Sequence, residues 1–167
     1  MELKTLKLKN FRSFSSTTEI DVADLNVIIG RNDVGKSSIL EALDIFFNGK
    51  PDKNDLSIGY DDPQIEITCI FNELPDELIL DDSIQTSLKE EFLLNIDGLL
   101  EIKKKFRVSG AGSVSEETAI LCEYPENENL ENLLSKKRTT LRLEFDKLGI
   151  APEGVNRNRS KELRRAI

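Results

Sequence analysis

The sequence predicts an α/β fold in which a mixed sheet, extended by additional antiparallel strands, feeds one amphipathic helix through a glycine loop. Three observations carry this. Leu25-Asn-Val-Ile-Ile29 is short, mostly apolar and β-branched, as expected of a strand buried on both faces. Gly30-Arg-Asn-Asp-Val-Gly35-Lys36-Ser37 follows it directly, and from Lys36 the apolar period changes from two towards about 3.6.

Each element follows in chain order. Leu6, Leu8 and Asn10 alternate with Lys7 and Lys9, which predicts a first strand; Phe11-Arg-Ser-Phe14 then leads through a Ser/Thr-rich stretch to a second extended piece near Thr18 to Ile20. Asp21 to Asp24 interrupts the chain before the strand at 25–29. The helix sets Ile39, Leu40, Leu43, Phe46 and Phe47 against Glu41 and Asp44, so both phenylalanines are expected in the core. Asn48-Gly49-Lys50-Pro51 ends it with an αL-tolerant residue and a breaker. Ile65 to Phe71 reads as a half-buried strand, Pro75 opens a short helix to about Leu80, and a further helical stretch covers about Ile84 to Leu94. Leu99 to Val108 is an expected strand with Lys103 and Lys105 outward, paired across the turn Ser109 to Ser115 with Thr118 to Tyr124. Leu130 to Leu134 begins another short helix. The organisation expected is one domain: a phosphate-loop core over about 1–50, a strand-rich region over about 60–124 and a helical tail over about 130–167.

Composition narrows the chemistry. With 167 residues, 38% apolar and 32% charged, the chain is long enough for a real core and is neither collagen-like nor wholly disordered. No stretch approaches the roughly 18 apolar residues of a membrane span, and Met1-Glu-Leu-Lys lacks a secretory h-region, so no membrane contact and a cytoplasmic address are expected. There is no histidine, which removes Ser-His-Asp, Cys-His and His-metal chemistry and leaves carboxylates, lysines, hydroxyls and backbone amides. Cys69 and Cys122 lack ligand-like spacing and read as core atoms. The net charge of -8 is uneven: residues 51–100 carry thirteen acidic and two basic groups, residues 101–167 eleven and fourteen. Any contact with nucleic acid is therefore expected in the final third, at Lys103 to Lys105 or at Arg157, Arg159, Lys161, Arg164 and Arg165, although such runs are more often solvated faces.

The specific motif is the glycine loop. Glycine, four residues, then Gly-Lys-Ser, between a strand and a helix, is the pattern of a phosphate-binding loop and places the chain among P-loop NTPases. Gly30 ends the strand, Gly35 permits close backbone approach, and amides from about Asn32 through Asp33, Val34 and Ser37 to Ser38 converge on phosphate at the positive end of the helix. Lys36 would reach the β- and γ-phosphates of ATP as the catalytic cation, and Ser37 would ligate Mg²⁺; Arg31 belongs to the same binding loop. The nearest candidates for the strand-end acid of a hydrolytic site are Asp81-Asp82 and Asp97, and both read as surface charge. Ser109 to Ser115 reads as a hairpin turn.

Leu6-Lys-Leu-Lys-Asn-Phe11-Arg12-Ser-Phe14, followed by Leu25 to Leu43, resembles the amino-terminal part of ABC-type ATPases of the RecF and SMC class, and within it most resembles the overcoming-lysogenization-defect (OLD) ATPase-nucleases of bacterial antiphage defence. The resemblance implies a partial ABC-type ATPase head, two of which dimerise around ATP so that nucleotide state regulates a nuclease domain or subunit, or another DNA-handling element. It also implies that Arg12 lies near the bound phosphates. The Gln-loop, signature motif, strand-end acid pair and switch histidine of the class find no place in these 167 residues, nor does the acidic nuclease cluster of OLD proteins, so a portion of a larger polypeptide is expected. Two other readings stay open: a nucleotide-binding interaction module without turnover, and a DNA-repair ATPase of RecF type. A small kinase is disfavoured because residues 51–100 offer few cations for a lid.

Overall fold

The computed structural model describes residues 1–31, 35–59, 62–81, 84–123, 133, 136–151 and 153–167. They group into two compact units, Met1–Leu74 with Asn95–Leu121, and Pro75–Leu94 with Cys122–Ile167.

The first unit is a five-stranded sheet under one helix. Strands β1 (Glu2–Lys9), β2 (Thr18–Asp21), β3 (Gln64–Asn72), β6 (Leu100–Val108) and β7 (Val114–Leu121) lie in the order β2-β1-β3-β6-β7, and every pairing is antiparallel. The period of two sorts its faces. Leu6, Leu8, Ile65, Ile67, Cys69 and Phe106 are fully buried on one side. Each of the leucines, isoleucines and the phenylalanine contributes about 1.5–3 kcal/mol by leaving water. Helix α1 (Lys36–Asn48) covers this apolar layer through Ala42, Ile45 and Phe46, with the Phe46 ring 6.5 Å from that of Phe71 and Lys104 Nζ 5.5 Å from the Phe46 centroid. Phe46 is core as expected. Phe47 is not: it packs edge-on against Phe46 at 5.1 Å but stays half exposed. The helix stops at Gly49, whose N–H donates to Ile45 O; Gly49 is extended at φ -134, so the stop does not use the left-handed cap that the sequence suggests.

The opposite face of the sheet is a charge ladder. Glu66 on β3 accepts from Lys9 at 2.9 Å and pairs with Lys103 at 3.2 Å, while Lys7 reaches Glu19 at 3.2 Å and Glu101 at 3.7 Å. Burial of Glu66 alone would raise its pKa, but hydrogen bonds from Lys9 and Lys103 outweigh it and hold the carboxyl below its ordinary range. The sign follows: a depressed folded-state pKa stabilises the fold at neutral pH, and that contribution is lost as pH falls through the folded value. Glu66→Gln should therefore flatten the loss of stability below about pH 4, measured as denaturation midpoints at pH 3 and 7. A variant as acid-sensitive as the parent would show that the ladder carries no such linkage.

The second unit is smaller. Two short strands, β4 (Leu78–Asp81) and β5 (Ile84–Thr86), form a hairpin, and helices α2 (Arg138–Lys147) and α3 (Ser160–Ala166) enclose Leu133, Leu141, Phe145 and Leu163. A buried ion pair joins Arg164 Nε to Glu91 at 3.0 Å, and Thr86 Oγ1 donates to the same carboxylate at 2.9 Å. The helices expected at Pro75 to Leu80 and Ile84 to Leu94 are corrected by this hairpin. Leu78, Ile79 and Asp81 find cross-strand partners in Thr86, Gln85 and Ile84, and that pairing overrides a weak helical period. The expected helix at Leu130 to Leu134 lies outside the described residues apart from Leu133, which is in a turn.

Three other expectations hold with shifted ends: β1 and β2, β3, and the β6–β7 hairpin across Ser109 to Ser113. The strand at Leu25 to Ile29 does not. Those residues have no ladder, and Leu25, Val27 and Ile29 are 82%, 73% and 89% exposed. Asn26 explains the start of the departure. Its Oδ1 accepts from Ala23 N at 3.1 Å and its Nδ2 donates to Ala23 O at 2.7 Å, so its side chain closes a turn. Beyond it no neighbouring strand among the described residues offers a ladder, and an extended apolar segment without a partner does not persist as a strand.

Candidate functional site

The site is assembled where the turn after β1 meets the start of α1. Asn10 and Arg12 both adopt left-handed backbone, at φ 55 and 49. Asn10 tolerates this and is fully buried, its Nδ2 donating to Asp62 O at 2.5 Å and Gln64 O at 2.9 Å. Phe11 is buried and bridges Phe14 and Leu56. The turn is therefore tied to β3 and to the segment around Leu56 before any ligand is considered.

Gly35 is where this turn touches the loop. It caps α1 at φ 91, a left-handed conformation that L side chains rarely adopt, and a Cβ there would collide with Ser13 Oγ and lie 3.2 Å from the Phe14 ring. Glycine is required twice over, by torsion and by space. No side chain caps the helix and no acidic residue sits in its first turn, so the amide end of α1 keeps its positive character for an anion. Lys36, the first residue of the helix, folds back across the loop and donates from Nζ to Gly30 O at 2.8 Å and Arg31 O at 2.5 Å. Residues 30 and 36 are thus drawn together around a lysine ammonium. Ser37 is exposed on the first turn and Ser38 is buried. Asn32, Asp33 and Val34 lie outside the described residues.

Arg12 is held by carboxylates from two directions. Its backbone N donates to Asp55 O at 2.7 Å, its Nε donates to Asp55 Oδ1 at 2.8 Å, and its other guanidinium edge pairs with Glu41 on α1. The hydrogen bond to Asp55 outweighs burial and raises the guanidinium pKa further above its ordinary value, so Arg12 is cationic at every accessible pH. Glu41 stands four residues after Ser37, about 6 Å along the helix on the same face, which brings Arg12 over the first turns of α1. Asp55 is itself fixed in place, because Asp52 and Asp55 form a reciprocal capping box in which Asp52 N donates to Asp55 Oδ2 at 2.8 Å. Sequence reasoning singles out neither Asp55 nor Glu41. The legible signal is the Asp52-Lys-Asn-Asp55 spacing for the first and the interval from Ser37 for the second.

These residues fit a nucleoside triphosphate with magnesium. An open helix start and two cations beside it match polyphosphate. Among the described residues, no group of three or more Cys, Asp or Glu could hold a metal ion.

Other expected residues are used structurally. Lys103 pairs with Glu66, Lys104 with Glu116 at 2.9 Å, Arg157 with Asp146 at 2.5 Å and Arg159 with Glu162 at 3.4 Å. Much of the positive charge that suggested nucleic acid is thus neutralised within the chain. Burial pushes the Cys69 thiol up to about 12 and raises that of Cys122, which lowers the thiolate fraction of each. Asp81 closes strand β4 in the second unit and Asp97 lies in an exposed turn. No helix among the described residues is long and apolar enough to cross a membrane.

Among known proteins, the AAA ATPase domain family matches residues 1–165. A DNA double-strand break repair Rad50 ATPase of Archaeoglobus fulgidus is 56% identical over 67 residues, covering 35% of this chain and 7% of that protein. An uncharacterised protein of Methanocaldococcus jannaschii is 30% identical over 109 residues, 62% of this chain and 31% of its own length. The chain therefore spans less than a third of these curated relatives. The SMC head domain from Thermotoga maritima aligns at a TM-score of 0.46 and 19% identity, covering 72% of this chain and 39% of that one.

Proposed function

Because the chain belongs to the AAA ATPase domain family, we propose that it binds magnesium-ATP at residues 30–38 and that two such heads close on the nucleotide to hydrolyse it and drive a DNA-handling element. The observation that carries this is the uncapped, glycine-entered start of α1 beneath Lys36 and Arg12. Lys36 and Arg12 bind and orient the phosphates, Ser37 takes the metal, and the loop amides hold the phosphate oxygens; magnesium supplies charge neutralisation when bound.

The repair-type reading is favoured over regulation of an antiphage nuclease by the 56% identity to the Rad50 ATPase. Completion of the site by further protein is supported by the exposed apolar residues Leu25, Val27 and Ile29, and by Leu40 and Phe47 on α1. Sedimentation of the full-length protein with and without ATP tests the dimer. The expected result is a nucleotide-dependent shift towards a dimer that Lys36→Ala lacks. A sedimentation profile indifferent to ATP would favour a nucleotide-binding module that works alone.

A further inference from the structure

Arg12 is a cation beside the loop whose backbone and guanidinium are both held by neighbours. Its left-handed backbone, at φ 49, is a conformation that a non-glycine residue keeps only when neighbours impose it. Asp55 imposes it twice, accepting the backbone N–H through its carbonyl and Nε–H through Oδ1, while its Oδ2 is occupied by Asp52 N. The Asp55 side chain is only 10% exposed, so the grip is shielded from competing water. Glu41 is different. Its side chain is 45% exposed, the Oε2 atom that meets Arg12 is itself buried, and among the described residues that atom has no hydrogen-bond partner besides the ion-pair contact with Arg12.

Resting on the assignment of residues 30–38 as a triphosphate site, we propose that Asp55 is the positioning residue for Arg12, a fixed anchor on Nε that leaves the outer guanidinium edge to pass from Glu41 to phosphate. The chemistry asks for this asymmetry. A guanidinium carries five N–H donors in a rigid fork, so one edge can stay bonded to a carboxylate while the other turns to an anion. Asp55 holds Arg12 through two hydrogen bonds, at the backbone N–H and at Nε, whereas Glu41 meets it through a single oxygen, so a triphosphate exchanges for the Glu41 contact more easily than for the Asp55 one.

The test is a double-mutant cycle read by calorimetry of magnesium-ATP binding to the whole chain. Arg12→Ala and Asp55→Asn should each weaken binding by about tenfold, and the double variant should be no weaker than Arg12→Ala alone. Losses that multiply to about a hundredfold would overturn the proposal, because Asp55 would then act independently of Arg12. Asp55 also caps its turn, so a second measurement needs neither nucleotide nor that substitution. The Arg12 Nε–H resonance of the parent chain should exchange slowly with water, and should remain slow in Glu41→Gln, which removes only the outer contact. Fast exchange in the parent, or loss of protection in Glu41→Gln, would show that Asp55 is not the anchor. The site assignment fails separately: if the parent binds no ATP, or Lys36→Ala binds it equally well, both readings fall. If binding depends on Lys36 but the cycle is additive, only the anchor does.

Discussion

Lys36→Ala is expected to weaken magnesium-ATP binding by roughly 30- to 150-fold, the loss of about 2–3 kcal/mol of charge-assisted hydrogen bonding, with the fold unchanged. The fold should survive because the lysine's partners, Gly30 O and Arg31 O, are exposed and can turn to water when the ammonium is removed. Turnover should fall at least as far, since the same ammonium would meet charge developing on the phosphates. Lys36→Arg should not rescue binding. Its planar fork cannot occupy the point at which two loop carbonyls converge on a compact ammonium. Calorimetry and phosphate release on the parent and both variants check this, and an unchanged dissociation constant in Lys36→Ala would move the nucleotide away from this loop.

Gly35→Ala is expected to damage both stability and binding. The left-handed torsion at φ 91 costs an alanine about 1–2 kcal/mol, and displacing Ser13 and Phe14 to admit the methyl adds about 1–3 kcal/mol more. The thermal midpoint should fall by about 5–15 °C. ATP affinity should fall with it, because relief of the contact must come from moving the Asn10 to Phe14 turn or the start of α1, and both belong to the site. Adding Ser13→Gly should recover part of the packing loss and none of the torsional one. A Gly35→Ala variant as stable as the parent would mean that the loop enters the helix by another path.

Much of the site is legible in the sequence because it is local. The glycine spacing, the lysine and the two serines act through the backbone of one short segment, and the switch from period two to a helical period marks where that segment must turn. The alternation in β1, β3 and β6 is legible for a similar reason, since one face of each strand is buried and the period survives in the residues themselves. The capping spacing around Asp55 is legible, but its partnership with Arg12 is not. Its role depends on a three-residue 3-10 turn that brings it 43 positions along the chain to Arg12. The hairpin at Leu78 to Thr86 escapes sequence reasoning because short apolar runs suit either helix or strand until a partner is present.

The segment Leu25 to Ile29 separates the two kinds of information. Its composition shows that it suits burial between neighbours, a property of side chains alone. Whether it is a strand depends on hydrogen-bond partners, and the antiparallel order β2-β1-β3-β6-β7 supplies none to it. The sequence by itself determined that a glycine-bounded segment enters a helix here and which residues the proposed phosphate site would use, because torsion, spacing and charge are written locally. Only the tertiary structure decided that Ser13 and Phe14 close against Gly35, and that Asp55 and Glu41 hold Arg12 above the helix, because such contacts exist only once distant segments have been packed against one sheet.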